Sequence, residues 1–325
     1  MLAGTVRQLE QAFRLTPDRG DGAPLLAILK EAQIARPEGS FQLDGDTLSG
    51  LARFSGLEEH RRNSESMVPG GGFVKLGLLQ MVVRRAAGIA ALCDETGATK
   101  GTGFLVRGRD INRAWGDEAV LISNAHVVSD PSAKGYESEA PLRPATMRIV
   151  LEGAGSRSIE CESRALWQSP IAMHDATIIR LSCSLPEGVA PLDLCPAGTS
   201  LHPIDPDRND AGATSSRISV IGYPLGGPLS LSVVGSITGA NGLLVDVGGR
   251  RKDEADPTYL HYRAPTEPGN SGSPVFETGN WTVVGLHHEG FDQFDGRAKL
   301  DGKPGKSFAN EGISIHSIAR AASGK

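Results

Sequence analysis

Four cysteines are few for 325 residues, and only 3 Trp, 4 Tyr and 9 Phe accompany them. Cys93, Cys161, Cys183 and Cys195 lie far apart and offer no close metal-ligand spacing. In a protein of this size such cysteines are more often buried thiols than a disulfide framework. No group of His, Cys and carboxylates has ligand spacing along the chain, so no metal and no other cofactor are expected. No apolar run approaches the ~20 residues that a membrane-spanning helix needs. The first residues carry Arg7, Glu10 and Arg14 where a secretory signal would be apolar, so the expectation is a cytoplasmic protein. A basic excess is also missing. Lys and Arg number 33 against 38 Asp and Glu, a net charge of −5, which gives no electrostatic reason to expect nucleic acid.

Glycine is abundant. Its 41 copies are about 13% of the chain, against roughly 7% in average proteins. Together with 20 prolines they imply many tight turns, as an all-β fold requires. The first 66 or so residues have a different character. Val6, Leu9 and Phe13, then Leu25, Leu26, Ile28, Leu29 and Ala32, recur at helical spacing, and Asp46 is placed to cap a third short helix. The polar run RRNSESMVPGGG follows and reads as a linker. We therefore expect a small helical domain over residues 1–72 and a larger one over 73–325. After a helix-like start at Leu76, the larger domain alternates short β-rich runs with glycine turns, the pattern of a barrel or sandwich.

Three segments carry chemistry. AVLISNAHVV ends an apolar strand in a small-residue turn bearing His126. HDATIIRL opens a strand with Asp175. PGNSGSPVF sets Ser271 among glycines ahead of another strand. A serine hydroxyl is a poor nucleophile until a neutral imidazole takes its proton, and a carboxylate must hold that imidazole in tautomer and orientation. The order His, Asp, Ser, each at a strand edge, points to His126, Asp175 and Ser271 as a catalytic triad. The backbone amides of Gly269 and Ser271 are the candidate oxyanion donors.

At these residues the sequence resembles the bacterial trypsin-like serine peptidases. GTGFLV, SNAHVV, DATIIRL, IGYPLGG, PGNSGSPVF and EGISIHSI are similar to that family's landmarks, in their usual order, from about Phe73 to Arg320. The resemblance implies a mainly β fold of two six-stranded antiparallel barrels, preceded here by the helical domain. Barrel one would span about 84–196 and barrel two about 217–318, with the triad in the cleft between them. It implies a serine endopeptidase acting on protein or peptide substrates through an acyl-enzyme. No cysteine brackets His126, and Asn270 stands where zymogens of the family carry an aspartate, so activation by pairing with a new amino terminus is not expected.

The residue six before the nucleophile is Pro265, and nothing anionic there suits a basic substrate residue. GNSGSPVF followed by GLHH is similar to the glutamyl endopeptidases. By that likeness Thr266 and His287 would line the pocket and donate hydrogen bonds to a Glu or Asp before the scissile bond. His288 and Gly290 would pair with the substrate main chain. Adjacent residues of a strand face opposite sides, so His287 and His288 should point apart. Two alternatives remain: a quality-control serine protease of the high-temperature-requirement type with small or apolar preference, and a non-catalytic peptide-binding module. The helical domain could bind a regulatory partner, and Glu58, Glu59 and Glu65 make its linker a candidate site of self-cleavage.

Overall fold

The computed structural model describes residues 76–324 apart from 131–140, 156, 160–162, 205–215, 233–241, 251–256 and 291–295. The expected helical domain, its linker glutamates and Cys161 lie outside the described residues. The chain divides into two compact units, and the one formed by Arg84–Val233 with Gly239–Lys325 contains both sheets. No helix among the described residues is long and apolar enough to cross a membrane.

Helix α1 (Leu76–Ala86) leads into the first sheet. Its strands are β1 (Ile89–Cys93), β2 (Thr99–Arg107), β3 (Ala119–Ser123), β4 (Arg148–Leu151), β5 (Arg157–Ile159), β6 (Ser163–Ser169) and β7 (Ala176–Leu181), in the order β5-β4-β1-β2-β3-β7-β6. The second sheet is built from β8 (Ile218–Gly222), β9 (Ser230–Leu231), β10 (Leu244–Gly248), β11 (Tyr259–Tyr262), β12 (Pro274–Glu277), β13 (Thr282–Glu289) and β16 (Asn310–Ser314). Their order is β10-β11-β16-β13-β12-β8-β9, and a short hairpin of β14 (Arg297–Ala298) and β15 (Lys306–Ser307) lies between β13 and β16 in sequence. Every pairing within these sheets is antiparallel.

The fold is thus mainly β, two curled sheets of the trypsin-like kind. Each sheet counts seven strands rather than the expected six, because short flanking strands such as β5 and β9 join the ladders. Strands paired on both sides are buried on both faces: IAALC in β1 and ISVIG in β8 are buried throughout. Leu92, Leu105, Leu121, Ile149 and Ile179 form the core of the first sheet, and Val220, Leu244, Leu260, Tyr262 and Val275 that of the second.

Helix α2 (Ile315–Ser323) follows β16 directly and buries Ile315 and Ile318. It stops at Gly324, whose left-handed φ of 68° suits a residue without a Cβ, and the Gly324 amide closes the last turn onto Ala321 and Arg320. Ser317 on its inner face contacts His174 Nε2 at 3.2 Å and accepts from the Thr258 amide at 3.1 Å. Asn112 donates to the Ala322 carbonyl at 3.2 Å. The last helix therefore ties the segment just before Asp175 to the second sheet.

Candidate active site

Asp175 is fully buried and sits in the left-handed region at φ 38°, a conformation that Asp tolerates better than most residues. Its backbone is locked in place: its amide donates to Pro170 O at 3.1 Å, and its carbonyl accepts from the Ala125 amide and from Asn124 Nδ2. The turn after β3 presents His126 to it twice. The His126 amide donates to Oδ1 at 2.9 Å, and ring Nδ1 lies 2.6 Å from Oδ2. Burial alone would raise the Asp175 pKa, but hydrogen bonds from His126 and His288 outweigh it and hold the carboxyl below its ordinary value. The group is therefore an anion at neutral pH and can only accept. Nδ1 of His126 must therefore carry a proton.

Ser271 lies in a turn whose shape demands glycine on both sides. A Cβ on Gly272 (φ 87°) would sit 2.0 Å from Thr102 O, and one on Gly269 (φ 95°) 2.5 Å from Tyr223 O. The loop is held by both sheets. Thr102 of β2 donates its amide to Ser271 O at 2.9 Å and its hydroxyl to Gly269 O at 2.9 Å, while the same hydroxyl accepts from the Tyr223 amide at 3.2 Å. From the second sheet, the Gly272 amide donates to His287 O and the His287 amide to Ser273 O. The turns bearing His126 and Ser271 converge at Gly101: a Cβ there would meet Val127 Cγ1 at 2.7 Å and Ser271 O at 3.1 Å.

His287 and His288 face opposite sides of β13, as their adjacency requires. His287 is buried, with Nδ1 2.6 Å from the Tyr262 hydroxyl. Burial, reinforced by His288, His126 and Arg297, pushes its pKa down to about 3, so the ring is neutral. Tyr262 has no other acceptor among the described residues, so its hydroxyl proton goes to Nδ1 and the ring proton resides on Nε2. Thr266 Oγ1 is buried without a hydrogen-bond partner among the described residues. Pro265 and Glu267 are exposed.

His288 turns instead to Asp175, with its Nδ1 2.8 Å from Oδ2. The carbonyl of Gly290, expected to pair with substrate, accepts from the Arg297 guanidinium. Among the described residues, potential ligand atoms converge in two places, His126–Asp175–His288 and His288–Glu289–Glu311. The first group is a set of mutual hydrogen bonds, and Arg297 pairs with both carboxylates of the second. Cys93 and Cys195 are buried thiols, and Cys183 is half-buried.

The sequence reading did not single out Thr102, Tyr262 or Glu311, and it gave His288 only a backbone task. No signal existed for Glu311, which sits among polar and small residues in the strand NEGIS. None existed for Tyr262, which reads as core.

No curated protein matches the chain. Solved structures similar to it include the Rv3671c protease of M. tuberculosis H37Rv, in an inactive form, at 16% identity over 73% of this chain and 86% of that one, with a TM-score of 0.42. The HtrA-type protease AlgW is similar at 13% identity over 75% of this chain and 66% of that one (TM-score 0.45). Deg5 is similar at 15% identity over 75% and 90% (TM-score 0.44). The description "Trypsin-like peptidase domain" matches residues 101–286, more than half of the 325. The chain belongs to the trypsin-like peptidase domain family.

Proposed function

We propose that the chain is a serine endopeptidase in which Ser271 attacks the scissile carbonyl, His126 moves the proton and Asp175 orients His126. The observation that carries this reading is the double grip of Asp175 on His126, through the main-chain amide at 2.9 Å and Nδ1 at 2.6 Å. With Nδ1 committed to the carboxylate, Nε2 takes the Ser271 proton during attack and returns it to the leaving amine. The amides of Gly269 and Ser271 receive the developing oxyanion, and one such donor is worth ~10²–10³ in rate. Water then hydrolyses the acyl-enzyme by the same proton path.

The pocket reading is acidic. A neutral His287 with its proton on Nε2 and a buried Thr266 hydroxyl without a partner are two donors suited to a Glu or Asp carboxylate. A fluorophosphonate probe should label Ser271 and lose that labelling in His126→Ala. Labelling that survives in His126→Ala would remove the triad. In a peptide-library scan, Glu and Asp should dominate before the scissile bond, and His287→Phe should cost them at least ~10²-fold in kcat/KM, the loss expected when a carboxylate loses its partner. A preference for Arg, Lys or large apolar residues would leave the protease reading standing and end the acidic one.

A further inference from the structure

Tyr262 reaches His287 across an intervening strand. β16 lies between β11 and β13, with Tyr262 opposite Asn310 and His287 opposite Gly312. Residues two apart in a strand share a face, so Tyr262, Asn310, Gly312 and His287 lie on one side of the sheet. The phenol crosses over the one of these positions that has no side chain: a Cβ on Gly312 would meet Tyr262 Cε1 at 3.2 Å. Its hydroxyl arrives 2.6 Å from His287 Nδ1, with ring centroids 6.1 Å apart and planes inclined at 57°. Both rings are buried. Burial, reinforced by the Glu311 anion, holds the phenol's pKa well above its ordinary value, so Tyr262 keeps its proton at neutral pH and can donate it.

We infer that Tyr262 is a positioning residue that holds His287 in the Nε2–H tautomer and thereby sets the pocket for a carboxylate over a carboxamide. The role rests on the acidic reading of the pocket. A buried, neutral imidazole carries one proton, so the task of one nitrogen fixes that of the other. With Nδ1 filled from within the sheet, the nitrogen left for a substrate is a donor, and a donor gains most from a charged acceptor. The other tautomer would offer a lone pair instead. It would repel a Glu or Asp carboxylate and accept from the amide of Gln or Asn. Among the described residues the Tyr262 hydroxyl is the one hydrogen-bond partner of the His287 ring, so the choice of tautomer falls to it.

The full-length chain is compared with its Tyr262→Phe variant, which keeps the ring and removes the donor. On peptides that differ only in Glu or Gln before the scissile bond, the preference for Glu in kcat/KM should fall about tenfold in Tyr262→Phe, chiefly through loss on Glu. In a His287→Phe background the same change should not move the ratio further. Ring-nitrogen NMR of isotope-labelled histidine gives a second readout. The His287 signals, identified by their loss in His287→Phe, should be those of a ring protonated at Nε2, and Tyr262→Phe should shift them toward the other tautomer. The wild-type spectrum needs neither substrate nor a Tyr262 variant, so it decides the matter should Tyr262→Phe not fold. A wild-type His287 protonated at Nδ1, or a chain that prefers Glu and keeps its full Glu-to-Gln ratio in Tyr262→Phe, overturns this inference alone. A wild-type chain that prefers Arg, Lys or large apolar residues, or that cleaves no peptide, overturns the acidic reading and this inference together.

Discussion

Glycine at position 272 has no substitute. An added Cβ would overlap Thr102 O at 2.0 Å and Ser123 Oγ at 2.5 Å, in a backbone at φ 87° that side-chain-bearing residues avoid. Both neighbours are themselves fixed, since Ser123 Oγ donates to Thr102 O at 2.7 Å. Gly272→Ala should therefore cost at least about 2 kcal/mol in urea denaturation and abolish probe labelling at Ser271. A variant that melts like wild type and still labels would show that the turn can relax. Asn270 is buried in the same turn, close against Gly222 and Ser273, so a neutral amide there serves packing.

Among the elements, the strands that carry the site were legible in sequence because their burial is continuous. AVLIS before His126 and ATIIRL after Asp175 are runs of five and six residues, four of them apolar in each, bounded by turns, and they became β3 and β7. The two-residue strands β9, β14 and β15 left no mark, since a ladder so short has no hydrophobic period to detect. The opposite orientations of His287 and His288 were readable from strand geometry alone. Their partners were not, because Tyr262, Asp175 and Glu311 reach β13 from other strands and turns, and only tertiary pairing sets those registers. The attachment of α2 was equally hidden. Its Ser317 contacts both His174, next to Asp175, and the Thr258 amide, so Ser317→Ala should lower stability by about 1–2 kcal/mol in urea denaturation. The substrate preference should not move. A shift in preference would mean that α2 shapes the pocket.

For the whole molecule, buried ionisable groups set how it responds to acid. His287 has its pKa lowered from 6.5 to about 3 in the folded state, so the unfolded chain binds its proton first. Its contribution is complete above pH 6.5 and is lost as pH falls toward 3, with a slope of at most about 1.4 kcal/mol per pH unit. Glu311, lowered from 4.5 to about 2, adds a second loss of the same sign below pH 4.5, and Asp175 acts in the same direction. Urea midpoints should thus fall steadily from pH 6.5 downward. His287→Gln should flatten the segment between 6.5 and 4.5, where the carboxylates do not yet titrate. Parallel wild-type and variant curves there would mean that His287 is protonated in the folded protein.

Thr102 belongs to the first sheet, yet its single hydroxyl joins Gly269 to Tyr223, both in the second half of the chain. The cradle around the nucleophile is consequently shared property of two halves that otherwise have separate cores. A chimera that joined this second half to a relative's first half would need a hydroxyl at the matching place, or its nucleophile turn would settle into a shape of its own.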